Sequence, residues 1–385
     1  MYSDEVLIRN VTEELFLDTH VSEAYAKLCG YLPLEWLFTT EHVYAASWWC
    51  ASGYWNRFDT MQYMKDPWDN SRLLAKSVCN GTFKPRYYKE QTITERGKKR
   101  NIRPPHFDCK VVQKVLCAWM LRPLLARQMI CTSYAAVRGR GTALMRDNIV
   151  SDLNHMTEKY GDEGRIVLCD FEGYFASIDL DIYRDRLNSL ILDPRVIDLI
   201  FKFYDGKTGL TLGDELSQIP ASWFPSTIDH TIKDRCGVEV FHRYMDDSLV
   251  IVPNILDAYK YLDLMKELCR ENRLVLKAGK IKIIQLTKSF EFCKEHYVYN
   301  RNTHKYHAVI NPEIIKTEKR KLKFFGKNLA EVSDPVKKQE LLMRYNSQYR
   351  GWHGMIESHP GTRKIICDMD ELAEKNNIGT GGASQ

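Results

Sequence analysis

Val238-Glu239-Val240-Phe241-His242-Arg243-Tyr244-Met245-Asp246-Asp247-Ser248-Leu249-Val250-Ile251-Val252 decides how this chain folds. Its flanks, Val238-Glu239-Val240-Phe241 and Leu249-Val250-Ile251-Val252, have the β-branched and aromatic composition of buried strands. Two adjacent aspartates between them predict the tight turn of a hairpin. Upstream, Ile166-Val167-Leu168-Cys169 has the same strand-like composition and delivers Asp170, followed by Phe171-Glu172-Gly173-Tyr174-Phe175-Ala176-Ser177-Ile178. Carboxylates brought together at the ends of neighbouring strands repel each other and persist where hard cations neutralise them. The economical reading is a two-Mg²⁺ site for phosphoryl transfer.

Three motifs carry a resemblance. Asp170-Phe171, followed by Phe175 and Ser177-Ile178, resembles motif A of reverse transcriptases, and Tyr244-Met245-Asp246-Asp247 matches their motif C. Between them, Leu212-Gly213-Asp214-Glu215-Leu216-Ser217-Gln218 resembles motif B in the form x-G-x-x-x-S-Q. That form is familiar from bacterial retroelement enzymes: diversity-generating, group II-like and defence-associated reverse transcriptases. The resemblance implies an α+β right-hand polymerase fold over roughly 72–370. Its fingers would span 71–164, its palm 165–310 and a helical thumb 311–378. It leaves unexplained a mostly helical N-terminal extension, 1–70, and a glycine-rich tail, 379–385, that reads as disordered.

The resemblance also implies roles. One Mg²⁺, with Mn²⁺ as the substitute ion, would be held by Asp170 and Asp246. A second would be held by Asp170, the Phe171 carbonyl and the triphosphate, with Asp247 as a supporting carboxylate because adjacent residues on a hairpin point different ways. Arg96-Gly97-Lys98-Lys99-Arg100-Asn101-Ile102-Arg103 reads as a basic hairpin, and by resemblance Lys98 or Lys99, with Arg100, meets the incoming triphosphate. Ser133-Tyr134-Ala135-Ala136-Val137-Arg138-Gly139-Arg140-Gly141-Thr142 resembles a fingers motif written Y-G-F-R-x-G-x-G-T, in which Arg138 and Arg140 approach a template strand. Phe175 would pack beneath the sugar and exclude a 2′-hydroxyl, selecting deoxynucleotides. Gly213, Ser217 and Gln218 would line the base side of the pocket, and Tyr244 would touch nucleic acid.

Two departures limit the likeness. Where the family often has L-N-x-x-K-T, this chain has Leu276-Lys277-Ala278-Gly279-Lys280-Ile281. Lys280 keeps the position of the lysine that would protonate pyrophosphate, and Lys277 replaces the asparagine. The usual F-L-G primer grip is here Phe292-Cys293-Lys294, with a charged residue where glycine normally turns the chain. The N-A-x-x-H and V-T-G signatures of retron enzymes are absent, as is a zinc-type nuclease segment after the thumb.

Bulk properties agree with a nucleic-acid enzyme and decide little. The 385 residues carry a formal net charge of +5, so a polyanionic partner would be held by local patches. From Lys84 to Arg103 eight basic residues face two acids, interleaved with Phe83, Tyr87 and Tyr88; a second patch, Lys316 to Lys327, contains Lys319, Arg320, Lys321 and Lys323. Trp36, Trp48, Trp49, Trp55 and Trp68 are read as core or interdomain packing rather than base stacking. Eleven cysteines without a C-x-x-C pair read as buried, reduced thiols of a cytosolic protein, and no apolar run approaches membrane-spanning length.

The expected activity is therefore RNA-directed DNA synthesis. Its partners would be deoxynucleoside triphosphates, an RNA template, a DNA product and a dedicated non-coding RNA, with an accessory protein or homo-oligomer left open. The expected setting is antiphage defence, with a diversity-generating retroelement as the alternative. A non-catalytic RNA-binding scaffold and a viral-type RNA-dependent RNA polymerase are the other classes. The latter usually carries Gly before the aspartates and a small or polar group in place of Phe175.

Overall fold

The computed structural model describes residues 23–95, 98–204, 206, 208–357, 359 and 362–375. The chain divides into two compact units, 1–141 with 167–250 and 256–282, and 142–166 with 251–255 and 283–385.

The first unit opens, over its described residues, with helices including Thr40–Ser52 and Pro67–Cys79. Thr39 caps the first of these by accepting a hydrogen bond from the His42 amide at 3.2 Å, and Asp66 with Pro67 starts the second. Small side chains, Ala45, Ala46, Cys50 and Ala51, occupy the buried face of Thr40–Ser52. This lets the helix pack closely on both Pro67–Cys79 and Phe107–Leu116. The expectation for the tryptophans is corrected for four of the five: Trp36, Trp49, Trp55 and Trp68 are each at least 36% exposed, whereas Trp48 is partly buried. Trp55 meets Trp48 edge-on and Trp68 meets Tyr44 in the same way. The core of this segment is filled instead by small residues together with Leu37, Phe38, Val43, Leu74 and Val78.

Strands β1 (Gln91–Glu95) and β2 (Lys98–Ile102) form an antiparallel hairpin in register Gln91↔Ile102 through Glu95↔Lys98. Its tip, Arg96-Gly97, and the side chains of Lys98, Lys99 and Arg100 lie outside the described residues. Strands β3 (Arg165–Cys169), β4 (Val240–Tyr244) and β5 (Asp247–Val252) carry the acidic motifs, with β5 between β4 and β3. Ile166 to Cys169 and Ser248 to Val252 are buried without alternation, the signature of strands covered on both faces.

In the second unit the helix Thr142–Tyr160 is followed later by β6 (Lys282–Gln285) and a meander of β7 (Phe290–Phe292), β8 (Glu295–Asn300) and β9 (Lys305–Ile310). Cys293 and Lys294, the altered grip residues, form the β7–β8 turn with φ of 49° and 72°. Such a two-residue turn favours Asn-Gly, so this chain tolerates local strain there. Helices Pro312–Glu331, Pro335–Glu357 and Arg363–Lys375 close around Leu322, Leu329, Tyr345, Tyr349, Ile356 and Met369. Asn311 caps the first, accepting from the Glu313 amide at 2.9 Å.

All eleven cysteines are free thiols, but Cys131, Cys236 and Cys367 are exposed rather than buried. No described helix is long and apolar enough to cross a membrane.

Candidate active site

β4 ends at Tyr244 and β5 begins at Asp247, so Met245 and Asp246 form the two-residue turn. Met245 holds φ at 54°, a left-handed conformation that costs a non-glycine residue about 1 kcal/mol or more. Asp170 leaves the end of β3 and is clamped by its main chain: its carbonyl oxygen accepts from the Lys277 amide at 2.8 Å, and the Glu172 amide donates to the Val275 carbonyl at 2.8 Å. Phe171 pairs with Leu276 as an antiparallel bridge between these bonds.

These two frames bring the three aspartates together. Asp246 lies within side-chain hydrogen-bond reach of Asp170; burial first, then that neighbour, raises its carboxyl above the ordinary range. Asp247 is pushed up to about 6 by burial, then by Asp246 and Asp170, against the pull of Lys280 and Arg243. Asp170 Oδ1 is buried with no hydrogen-bond partner. Converging, half-buried carboxylates with an orphaned acceptor suit hard divalent cations. Among the described residues no group of three or more His, Cys, Asp or Glu side chains is placed so as to hold a metal ion by itself. Mg²⁺ characteristically takes one or two carboxylates and completes its shell with water and substrate phosphates, so the donor set fits.

Sequence reasoning missed Arg243. It is 0% exposed, sits on β4 immediately before Tyr244, and donates from Nε and Nη2 to Oδ1 of Asp229 at 2.9 and 2.6 Å. Its guanidinium lies 5.0 Å from the centre of the Phe171 ring, and Nη1 has no hydrogen-bond partner. The available signal was an arginine inside a strand-like run read as buried, where its charge must find an acid.

The two adjacent aromatics of the Asp170 segment take opposite roles. Tyr174 is 3% exposed and its hydroxyl donates to the Ala221 carbonyl, whereas Phe175 is half-buried. The Phe175 carbonyl accepts from the Leu210 amide at 2.7 Å, tying this turn to the segment before Gly213. Gly213 holds φ at 92°, and Asp214 starts the helix Glu215–Trp223. Ser217 is buried and Gln218 exposed. Asp214 is 1% exposed and neither carboxylate oxygen has a hydrogen-bond partner. Burial pushes it up to about 7 against the pull of Gln113, Lys110 and Arg103.

The loop Ser133–Thr142 is anchored on β4 through two bonds: the Arg243 amide donates to the Thr132 carbonyl at 2.9 Å, and the Tyr134 amide to the Arg243 carbonyl at 3.1 Å. Within it Arg138 is exposed, while Arg140 Nη1 donates to the carbonyls of Ile130 and Ser133 at 2.7 and 2.9 Å and shapes its own loop. Lys280 is exposed at the end of a short helical turn, and its charge reaches Asp247. Lys319, Arg320, Lys321 and Lys323 belong to the second unit. There Lys319 pairs with Asp368 at 3.1 Å and Lys321 with Glu318 at 2.6 Å, while Arg320 and Lys323 are exposed.

Residues 88–329 match the family described as reverse transcriptase (RNA-dependent DNA polymerase). No curated protein matches the sequence. A solved structure of telomerase from Candida albicans, in complex with a TWJ fragment of telomeric RNA, is similar to the chain at a TM-score of 0.47 and 13% identity. The likeness covers 77% of this chain and 59% of that one, so the chain spans less than two thirds of that protein's length.

Proposed function

This chain belongs to the reverse transcriptase family, and on that premise we propose that it extends a DNA strand along an RNA template, joining deoxynucleotides at the Asp170, Asp246 and Asp247 cluster. The convergence of those three carboxylates carries the reading: mutual repulsion and burial hold Asp246 and Asp247 above ordinary carboxylates. Two bound Mg²⁺ ions would supply activation of the attacking hydroxyl and stabilisation of the pyrophosphate leaving group. Asp170 and Asp246, with the Phe171 carbonyl, would hold them, and Asp247 supports the cluster from the start of β5. Phe175, half-buried beside the inward-turned Tyr174, would pack under the deoxyribose and exclude a 2′-hydroxyl. Lys280, exposed on the Asp247 side, would give a proton to the leaving group. Lys98, Lys99 and Arg100 on β2 would meet the triphosphate, with Gly213, Ser217 and Gln218 on the base side and Arg138, Arg140 and Tyr244 toward nucleic acid. In this proposal the fingers span 71–164, the palm 165–310 and the thumb 311–378.

The finer reading is an enzyme of antiphage defence that works with one dedicated RNA. It is supported by the helical segment preceding the matched region and by the unusual Cys293-Lys294 turn. Purified protein with RNA, Mg²⁺ and labelled deoxynucleotides should make polymer, and Asp246→Ala with Asp247→Ala should abolish it. Undiminished synthesis by the double variant would refute the assignment.

A further inference from the structure

A half-open cleft of about 600 Å³ lies in the first unit, walled on one side by Ser52 to Arg57 and on the other by Ile102 to Pro105, Lys110, Leu212 and Gly213. The first wall precedes the residues that match the family, and the second lies within them. Its volume suits one or two nucleotide units.

The lining has a consistent chemistry. Arg57, Arg103 and Lys110 contribute three positive charges, and no carboxylate lines the cleft among the described residues. Tyr54 and Trp55 are 42% and 44% exposed. Lys110 Nζ stands 3.5 Å from the Tyr54 ring centre, and the Arg57 guanidinium 5.5 Å from it, so the cations and rings form one surface. Exposed rings interleaved with cations and free of acids fit a single strand, whose bases stack while its phosphates meet the charges. A duplex hides its base faces and could use only the charges.

We propose that this cleft binds a single-stranded segment of RNA, with Tyr54 and Trp55 as the stacking surface and Arg57, Arg103 and Lys110 as phosphate contacts. The proposal rests on the RNA-directed reading above and gives the segment before the family-matched region a part in holding RNA. Gly213, in the second wall of the cleft, belongs to the stretch proposed to face the nucleotide base. RNA held here would therefore run beside the polymerisation pocket.

The full chain, without Mg²⁺ or nucleotide, is titrated with a fluorescein-labelled single-stranded RNA of mixed sequence, read by anisotropy at several salt concentrations. Tyr54→Ala with Trp55→Ala should weaken binding about tenfold or more at fixed salt. Trp55→Phe, which keeps a ring, should recover much of the loss. Arg57→Ala should flatten the dependence of log affinity on log salt by somewhat under one unit. RNA containing 4-thiouridine should crosslink within residues 52–57. Asp246→Ala with Asp247→Ala should bind RNA normally while failing to polymerise, so loss of the catalytic reading would leave this one testable. Unchanged affinity in the ring variant, equal losses for duplex RNA or heparin, or crosslinks confined to other segments would each overturn the proposal.

Discussion

Arg243 and Asp229 form an ion pair sealed from water beneath the acidic hairpin, with side chains 0% and 2% exposed and two bonds of 2.9 and 2.6 Å onto one carboxylate oxygen. The guanidinium also faces the Phe171 ring and reaches, through its charge, Asp246 and Asp247. One buried cation thus adjoins both acidic segments. It partly offsets the repulsion among carboxylates whose proposed function requires them to sit together.

Removing one member of this pair should cost far more than removing both. A lone buried charge is left uncompensated in Arg243→Met or Asp229→Leu, and each should lower stability by about 3–5 kcal/mol. The double variant should recover most of that loss, because a buried pair replaced by apolar groups of similar volume is often near neutral. Urea unfolding of the four proteins checks this. Additive losses would mean that the two side chains do not act as a pair.

The hairpin was legible because β-branched runs on both sides of an Asp pair admit few alternatives, and the strand feeding Asp170 reads the same way. Tyr174 and Phe175 could not be sorted in advance: both are large and aromatic, and only the Ala221 carbonyl, far along the chain, shows which one turns inward. Arg243 escaped because apolar periodicity treats an arginine as a surface residue, and its acid partner lies on a separate helix, Ser226–His230. The tryptophans misled for the opposite reason. Large rings suggest core, but the close approach of Thr40–Ser52 to its neighbours uses alanines and leaves rings outside.

Asp214 should make the protein lose stability as pH rises. In the unfolded chain this carboxyl titrates near 3.8, whereas burial raises it to about 7 in the folded chain. Folding therefore takes up a proton between those values. The contribution is fully present below about pH 4 and is lost as pH climbs through 7. Asp214→Asn imitates the neutral form, so its urea midpoint should match the parent's near pH 4 and exceed it at pH 8, by an energy of at most about 4 kcal/mol. Parallel stability curves for the two proteins would show that Asp214 does not titrate in this way.

Phe175→Ala and Phe175→Val should relax sugar selection. The backbone of Phe175 is fixed by Leu210, so truncation removes the ring without releasing the turn. The ratio of ribonucleotide to deoxynucleotide incorporation should rise roughly 10- to 100-fold, the range that a local steric contact supplies. Steady-state kinetics with matched nucleotide pairs decides it. A ratio that stays put would make Phe175 a packing residue.

Lys280 and Lys277 should separate cleanly although only two residues lie between them. Lys277 serves Asp170 through its backbone amide, which any side chain at that position preserves, whereas the charge of Lys280 pulls Asp247 downward. Lys280→Ala should therefore reduce kcat on the order of 100-fold if it donates the proton to pyrophosphate, and Lys277→Ala should do much less. Lys280→Arg keeps the charge but holds its proton too tightly to act as an acid, so it should remain slow. A measurement independent of turnover is the ¹³C carboxyl titration of Asp247 in the metal-free protein. Losing the Lys280 charge should move that titration above about 6, while Lys280→Arg should leave it in place. Equal turnover losses for Lys277→Ala and Lys280→Ala, or an Asp247 titration indifferent to Lys280→Ala, would remove Lys280 from the reaction.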